Sequence, residues 1–470
     1  MLSPAREAAW RVLVRLGADR PTGTARLDDT LVGLPELEQL DARDRALAHE
    51  LITGTIKRRL SIDSVVGMYT KAPLERTESA VLASLRLATF QILFLDRVPA
   101  HAAVDDAVTL VADMGKQARG FVNAVLRKVA REGRETFARL ADGSGDKEWG
   151  VRHSCPRWLV RLLRDELGDA AARSFLDAAN AAPERCLRVN SRRCTLVGAV
   201  AALAEAGFET TPVSGLDQAL LYEGPALERS APFRAGVVTP QSRGSQLAGI
   251  IAAEALRAGA PLAGASVDDE PAAPRVLDLC AAPGTKTSQL AAALPGARIT
   301  AVELDAARLT AMRANLERLG IDAAPQVELV AADVLDLPET FDGVFDAVLL
   351  DAPCSGLGTL ASRADLRWRR RAADVPRLAD LQGRLLARAA RCVRPGGTLT
   401  YAVCTLPRAE TVAVVRSFAS APQFSGWLLD GLGAARPEFA HPEMPEALRV
   451  LPPDGGSTGF FVARLRLPGA

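Results

Sequence analysis

The chain has 470 residues, with 57 lysines and arginines against 56 aspartates and glutamates, a net charge of +1 and 48% hydrophobic residues. This length allows two or three domains with cores of their own. The near-neutral balance excludes attraction of polyanions by bulk charge, so any such surface must be local.

In chain order, residues 1–135 carry a helical pattern. Val81, Leu82, Leu85, Leu87, Ala88 and Ile92 recur at helical spacing and predict a bundle. Lys57, Arg58, Arg59, Arg127, Lys128 and Arg131 lie on this part; helix surfaces are normally charged, and the same groups could also meet a polyanion. The polar run Ala141-Asp-Gly-Ser-Gly-Asp-Lys-Glu predicts a linker over 136–150. Over 151–235, a strand-like Cys186-Leu-Arg-Val-Asn, a helix from Leu196 to Ala206 and Phe208-Glu-Thr-Thr-Pro-Val predict a small α/β module. The segment 258–274, rich in Ala, Gly and Pro with an Asp268-Asp-Glu cluster, predicts a disordered insertion.

Around that insertion, residues 236–470 alternate strand and helix as in a doubly wound sheet. Helices are expected over Ala306–Leu319 and Val375–Cys392. The run from Gly459 to Leu467 is expected as an antiparallel edge strand, with Phe460 and Phe461 in the core. The first residues, Leu2-Ser-Pro-Ala-Arg-Glu-Ala-Ala-Trp, lack the apolar core of a secretory signal, and no apolar run reaches the roughly 20 residues that span a bilayer. Seven cysteines without CxxC spacing predict a cytoplasmic protein with reduced thiols, no disulfide and no metal. Cys186 and Cys194 read as structural.

Three strand ends concentrate the chemistry. The strand Val276–Leu279 runs into the small-residue turn Cys280-Ala281-Ala282-Pro283-Gly284-Thr285, and a helix begins near Lys286. Small residues admit a ligand close to the backbone, and a helix start offers free N–H groups. The turn is neither a P-loop nor a full GxGxxG fingerprint, so a nucleoside triphosphate is not implied. Glu303, at the end of the next strand, is placed to accept from a ribose diol, and Asp333, after the third, can reach a purine. A lone acid at a strand end is usually just solvated; three in register behind such a loop, Glu303, Asp333 and Asp351 at the end of a further strand, favour a nucleoside cofactor.

Cys354 follows the apolar run Phe345–Asp351, and Cys404 follows Gly397–Val403. In an open α/β sheet the carboxyl ends of strands line the ligand crevice. Either thiol alone would read as a small buried apolar group; two at such ends, with Asp351 three residues before one, point to covalent chemistry. Between them runs a basic stretch including Arg363, Arg367, Trp368, Arg369, Arg370 and Arg371. Such runs are usually a solvated helix face; joining the two candidate strands, this one is expected to bind nucleic-acid phosphates, with Trp368 either stacking on a base or packing against the sheet.

The motifs Asp278-Leu-Cys-Ala-Ala-Pro-Gly-Thr-Lys-Thr, Asp351-Ala-Pro-Cys-Ser-Gly and Cys404-Thr resemble, in order and spacing, the Sun/NOP2/RsmB family of S-adenosylmethionine-dependent RNA cytosine-5 methyltransferases. The stretches Ala42-Arg-Asp-Arg-Ala-Leu-Ala, Gly54-Thr-Ile-Lys-Arg-Arg and Phe121-Val-Asn-Ala-Val-Leu-Arg are similar to the NusB-like domain of the bacterial RsmB branch. The resemblance implies a NusB-like helical RNA-binding domain, a small α/β module and a Rossmann-like methyltransferase domain, acting as a monomer on small-subunit (16S) rRNA. It also implies that Cys404 adds to carbon 6 of cytosine so that carbon 5 becomes nucleophilic, and that Cys354 assists release. Asp351 would stabilise the adduct at the ring nitrogen 3 edge, its carboxyl raised in pKa by burial. Lys286 would position the substrate and favour a neighbouring thiolate. Methyltransferases of exocyclic amines need no thiol, and Cys354 in that place argues against them.

Four positions depart from the family pattern: Thr285 for a second glycine, Val403 for threonine, Gln241-Ser242-Arg243 for a Gln-Asp-Glu-like segment, and Ala361-Ser362 for paired arginines. Thr285 would be strained by about 1–2 kcal/mol if its φ were positive. The alternatives are a tRNA or another rRNA site as substrate, or a non-catalytic RNA-binding assembly factor.

Overall fold

The structure, a computed structural model, describes residues 2–17, 27, 31, 33–257, 273–321, 326–452, 456 and 458–469. The chain divides into two compact units, 1–182 with 360–372, and 183–359 with 373–470. The expected insertion over 258–274 lies, but for its last two residues, outside the described residues.

The first unit is helical. It contains α1 (Pro4–Arg15), α2 (Ala42–Lys57), α3 (Arg59–Gly67), α4 (Ser79–Phe94), α5 (Ala100–Leu110), α6 (Lys116–Ala141), α7 (Asp146–His153) and α8 (Arg157–Asn180). α4 is buried at every position from Val81 to Leu93, as befits the central helix of a bundle. α6 instead buries one stripe, Val122, Val125, Leu126 and Val129, against it. The Asp41 carboxylate caps α2 by accepting from the Asp44 N–H at 2.8 Å.

The linker expected over 136–150 is mostly helix. α6 runs to Ala141, α7 starts at Asp146, and only 142–145 make the turn. Arg139 and Lys147 are exposed there, while Thr136 and Trp149 are buried. α8, expected within the small α/β module, belongs to this helical unit.

The second unit opens with the small module. β1 (Cys186–Val189), α9 (Leu196–Glu205), β2 (Glu209–Pro212), β3 (Ala219–Glu223) and β4 (Val238–Pro240) form an antiparallel-paired sheet of order β2-β3-β1-β4. After α10 (Arg243–Arg257) the large sheet begins: β5 (Arg275–Leu279), α11 (Thr285–Ala293), β6 (Arg298–Glu303), α12 (Ala306–Arg318), β7 (Val327–Ala331), β8 (Phe345–Asp351), α13 (Asp374–Cys392) and β9 (Val393–Val403). α14 (Val412–Ser420), β10 (Leu428–Leu429), β11 (Ala440–His441), β12 (Met444–Val450) and β13 (Phe460–Arg466) follow.

The strand order is β11-β12-β13-β9-β8-β5-β6-β7, with β9 to β7 parallel and β13 antiparallel to β9. β13 is therefore not the expected edge strand. It lies between β9 and β12 and pairs with both, so its backbone N–H and C=O groups are satisfied on each edge, while Phe460, Phe461, Val462, Ala463 and Leu465 are buried. The parallel order brings the carboxyl ends of β6, β5, β8 and β9 side by side.

Candidate active site

The loop after β5 is shaped by two residues with positive φ, Cys280 at 59° and Gly284 at 88°. A Cβ on Gly284 would lie 2.9 Å from the Met312 side chain, so both conformation and space demand glycine there. Thr285 is the first residue of α11 and has no positive φ. The strain conditional on that geometry is absent, because the left-handed residue is its neighbour. Asp278 is fully buried and accepts from the Thr287 hydroxyl at 2.6 Å; burial pushes its carboxyl up to about 7, against the Thr287 bond and the Lys286 charge.

Glu303, at the end of β6, is 3% exposed. It accepts from the Ala282 N–H at 3.2 Å, the Asp305 N–H at 3.2 Å and the Arg308 guanidinium at 3.0 Å, which ties it to the Cys280–Thr285 loop. Asp333 lies two residues past the end of β7 rather than on the strand, where its carboxylate accepts from the Leu335 N–H at 2.9 Å.

The Lys286 Nζ donates to Asp351 at 2.7 Å and lies 5.6 Å from the Phe460 ring centre. Burial works to lower the Lys286 ammonium, but the carboxylates of Asp351 and Asp278, with Cys404, outweigh it and leave it above its ordinary value. Asp351 is not the buried carboxyl expected. Its side chain is 29% exposed, and it holds an ammonium partner because β8 ends beside the start of α11.

The Cys354 and Cys404 sulfurs are 3.4 Å apart. Their strands are parallel neighbours, with Asp351 opposite Ala402, so the two following loops leave the sheet together. The hydrogen bond to Cys404, burial and the Cys404 charge push the Cys354 thiol well above its ordinary value. Cys280 is a different thiol: burial and the Asp351, Glu303 and Asp278 carboxylates push it up to about 12, which keeps it protonated and unreactive. Gly358 N–H donates to the Cys404 carbonyl at 3.1 Å, and a Cβ on Gly358 would lie 2.1 Å from the Gly459 carbonyl oxygen and 2.9 Å from that of Cys404.

The basic run does not form one phosphate-facing strip. Arg367 is 0% exposed. Its guanidinium donates to the carbonyls of Lys57 at 3.2 Å, Ser154 at 3.2 Å and Ala179 at 3.1 Å, and to the Asn180 amide oxygen at 3.0 Å. These acceptors lie at the C-terminal ends of α2, α7 and α8, where carbonyls lack helical partners and carry partial negative charge. The Trp368 indole N–H donates to the Ile56 carbonyl at 2.8 Å, under the Arg59 guanidinium. Arg369 pairs with Asp365 at 2.8 Å, Arg388 with Asp342 at 2.8 Å and Arg394 with Asp346 at 2.6 Å, while Arg363 is half-buried.

Two residues that sequence reasoning passed over support the site. Arg188, on β1, is 1% exposed and donates to the Gln241 side chain at 2.7 Å, the Ser288 hydroxyl at 2.7 Å and the Thr285 carbonyl at 3.4 Å. An arginine in the apolar run Cys186-Leu-Arg-Val was the available signal. Glu410 is 0% exposed and accepts from Ser355, next to Cys354; nothing in its neighbourhood marked it. The other departures are accommodated: Arg243 pairs with Glu184, and Val403 and Ala361 are buried.

Residues 267–466 match the 16S rRNA methyltransferase RsmB/F family model, 3–131 the NusB family, and 155–227 the ferredoxin-like domain of RsmF/B-like methyltransferases. The chain is 34% identical to ribosomal RNA small subunit methyltransferase B of Pseudomonas putida over 94% of this chain and 95% of that one. It is 36% identical to the protein of that name from Xanthomonas campestris over 88% and 87%. Among solved structures, PH0851 shares the fold with a TM-score of 0.76 at 24% identity, over 99% of both chains. NSun6 from Pyrococcus horikoshii, solved with SFG, does so with 0.54 at 20% identity, over 67% of this chain and 99% of that one. With a NusB-type helical domain, a ferredoxin-like module and a methyltransferase sheet in this order, the chain belongs to the ribosomal RNA small subunit methyltransferase B (RsmB) family of 16S rRNA methyltransferases.

Proposed function

We propose that this protein methylates carbon 5 of a cytosine in 16S rRNA, with Cys404 as the nucleophile and Cys354 as the residue that completes release. The observation that carries the reading is the 3.4 Å contact between the two sulfurs at the ends of adjacent parallel strands, next to the Lys286–Asp351 pair. Structural cysteines rarely need such placement. A nucleophile and a proton acceptor working on neighbouring ring carbons do.

The residues present fit S-adenosylmethionine. No side chain caps the start of α11, which leaves the positive end of that helix available to a ligand. Glu303 is anchored by three protein donors and, as a carboxylate with about four acceptor sites, keeps capacity for a ribose hydroxyl. Glu303, Asp333 and the Cys280–Thr285 loop would hold the cofactor, which supplies an electrophilic methyl group when bound.

In this reading the Cys404 sulfur adds to carbon 6, and the ring's electron pair moves so that carbon 5 can form its new bond to carbon. The Lys286 ammonium stabilises a thiolate at Cys404. Asp351, hydrogen-bonded to Lys286, passes the proton released by the Cys404 thiol to ring nitrogen 3 and stabilises the adduct at that edge. Once Cys404 is bonded to carbon 6, Cys354 loses the neighbour that held its proton most strongly. Its thiol then becomes easier to ionise; once its proton has passed to solvent, the thiolate takes the carbon 5 proton, the carbon 5–hydrogen electrons form the carbon 5–carbon 6 double bond, and the sulfur–carbon 6 bond breaks with its electrons returning to Cys404. We place this chemistry in the cytoplasm, where thiols stay reduced.

The test is incubation with unmodified 16S rRNA and methyl-labelled S-adenosylmethionine. Wild type should label cytosine, Cys404→Ala should not, and Cys354→Ala should accumulate a covalent protein–RNA adduct. Label on tRNA but not on rRNA would overturn the substrate. Cytosine labelling by Cys404→Ala would overturn the nucleophile.

A further inference from the structure

Beyond the groups that touch a substrate, one buried carboxylate joins both cysteine loops. Glu410 lies six residues after Cys404 and is 0% exposed. One of its oxygens accepts from the Ser355 hydroxyl at 2.5 Å, and the other from the Ser355 N–H at 2.8 Å and the Gln382 amide at 2.9 Å. The Ser355 and Thr405 hydroxyls are themselves 2.6 Å apart. Ser355 directly follows Cys354, and Thr405 directly follows Cys404. Gln382 also donates to the Pro353 carbonyl at 3.0 Å, and the Glu410 carbonyl accepts from the Tyr401 hydroxyl at 2.7 Å, three residues before Cys404.

We propose that Glu410 is the positioning residue that holds the Cys354 and Cys404 sulfurs together, by bolting the loop after β8 to the loop after β9 through Ser355 and Thr405. The proposal rests on the two-cysteine reading above. Taking a carboxylate out of water is costly, and the donors named here are a hydroxyl, a backbone N–H and an amide, which a neutral group could also satisfy. A carboxylate differs in that both oxygens only accept, so three donors from two separate segments can converge on one point. Its charge is also among the influences that keep the Cys354 thiol protonated, the state this residue must occupy before Cys404 attacks.

The experiment compares wild type, Glu410→Gln and Ser355→Ala in the full-length protein. Glutamine keeps the size but points an NH2 group at one of the three donors. Three quantities are read: kcat and KM for S-adenosylmethionine, and the rate at which diamide, reduced to its hydrazine, oxidises Cys354 and Cys404 to a disulfide, followed by peptide mass spectrometry. Misplacement by about 1 Å predicts kcat lower by about 100-fold in Glu410→Gln with KM within about twofold, and disulfide formation slowed by about tenfold or more. Wild-type kcat and wild-type cross-linking in Glu410→Gln would overturn the proposal, as would parallel loss of kcat and cofactor binding with an intact cross-linking rate. If Glu410→Gln does not fold, Ser355→Ala carries the same test, with about tenfold effects expected because one of two anchors to Ser355 remains. If wild type transfers no methyl group at all, the two-cysteine reading fails, and the cross-linking rate alone decides the role of Glu410.

Discussion

Lys286 places its ammonium 2.7 Å from the Asp351 carboxylate, joining the first turn of α11 to the end of the strand that leads to Cys354. One ion pair thus links the helix after the Cys280–Thr285 loop to the strand before the Cys354 loop. Lys286→Met would leave Asp351 without its partner at a position 29% open to water. The expected cost is about 1–2 kcal/mol in stability, less than the ~3–5 kcal/mol of a fully buried pair, and a fall of about 100-fold or more in methyl transfer. Its folded-state pKa is raised, so the lysine's contribution is complete below the unfolded value of about 10.4 and disappears as pH rises through the higher folded value. Urea unfolding of both proteins should show a constant gap from about pH 7 to 10 that closes above it.

Asp278 makes the opposite kind of prediction. Its carboxyl is raised to about 7, against an unfolded value of about 3.9. The folded state therefore holds the proton more tightly, and the stability this provides is complete below about pH 3.9 and lost as pH rises through about 7. Asp278→Asn, which can still accept from Thr287, should gain stability relative to wild type between about pH 4 and 8, by a few kcal/mol at most. A pH-independent difference in unfolding free energy would show that the carboxyl is ionised in the folded protein.

Gly358→Ala tests how closely the Cys404 loop is packed. The new methyl would lie 2.1 Å from the Gly459 carbonyl and 2.9 Å from that of Cys404, so one of the two backbones must move. Methyl transfer should fall by about 100-fold, with thermal stability lowered by about 1–3 kcal/mol. Cofactor affinity, measured by calorimetry, should stay near wild type because the Cys280–Thr285 loop is not touched.

Arg367 separates a structural role from an RNA-contacting one. Arg367→Met should destabilise the helical unit by roughly 3 kcal/mol or more, since several buried helix-end carbonyls lose a charged donor. A phosphate contact would instead weaken RNA binding and lower its salt slope by about one. Binding isotherms of the folded variant at several salt concentrations should show a wild-type slope.

Much of the site was legible from local pattern. An apolar run ending in Asp351 or Val403 reads as a buried strand, and the next residues must then lie at the carboxyl edge of a parallel sheet. Glu303 and the Cys280–Thr285 turn were legible for the same reason. The arginines were not. A run of like charge looks the same in sequence whether it faces solvent, pairs with Asp342, Asp346 and Asp365, or, as with Arg367, closes three helix ends. The partner of each charge comes from elsewhere in the chain.

The sequence by itself determined the order of domains, the strand ends and which residue types stand at them, because these depend on periodicity and on short motifs read over a few neighbours. Only the tertiary structure decided that Thr285 is unstrained beside a left-handed Gly284, that β13 lies inside the sheet, that Asp351 is paired with Lys286, and that Glu410 joins Ser355 to Thr405. Each of those facts depends on backbone torsion or on which distant residue arrives within about 3 Å, the range over which a hydrogen bond acts. Which residues come within that range is set by packing the whole sheet, not by any local run of residues.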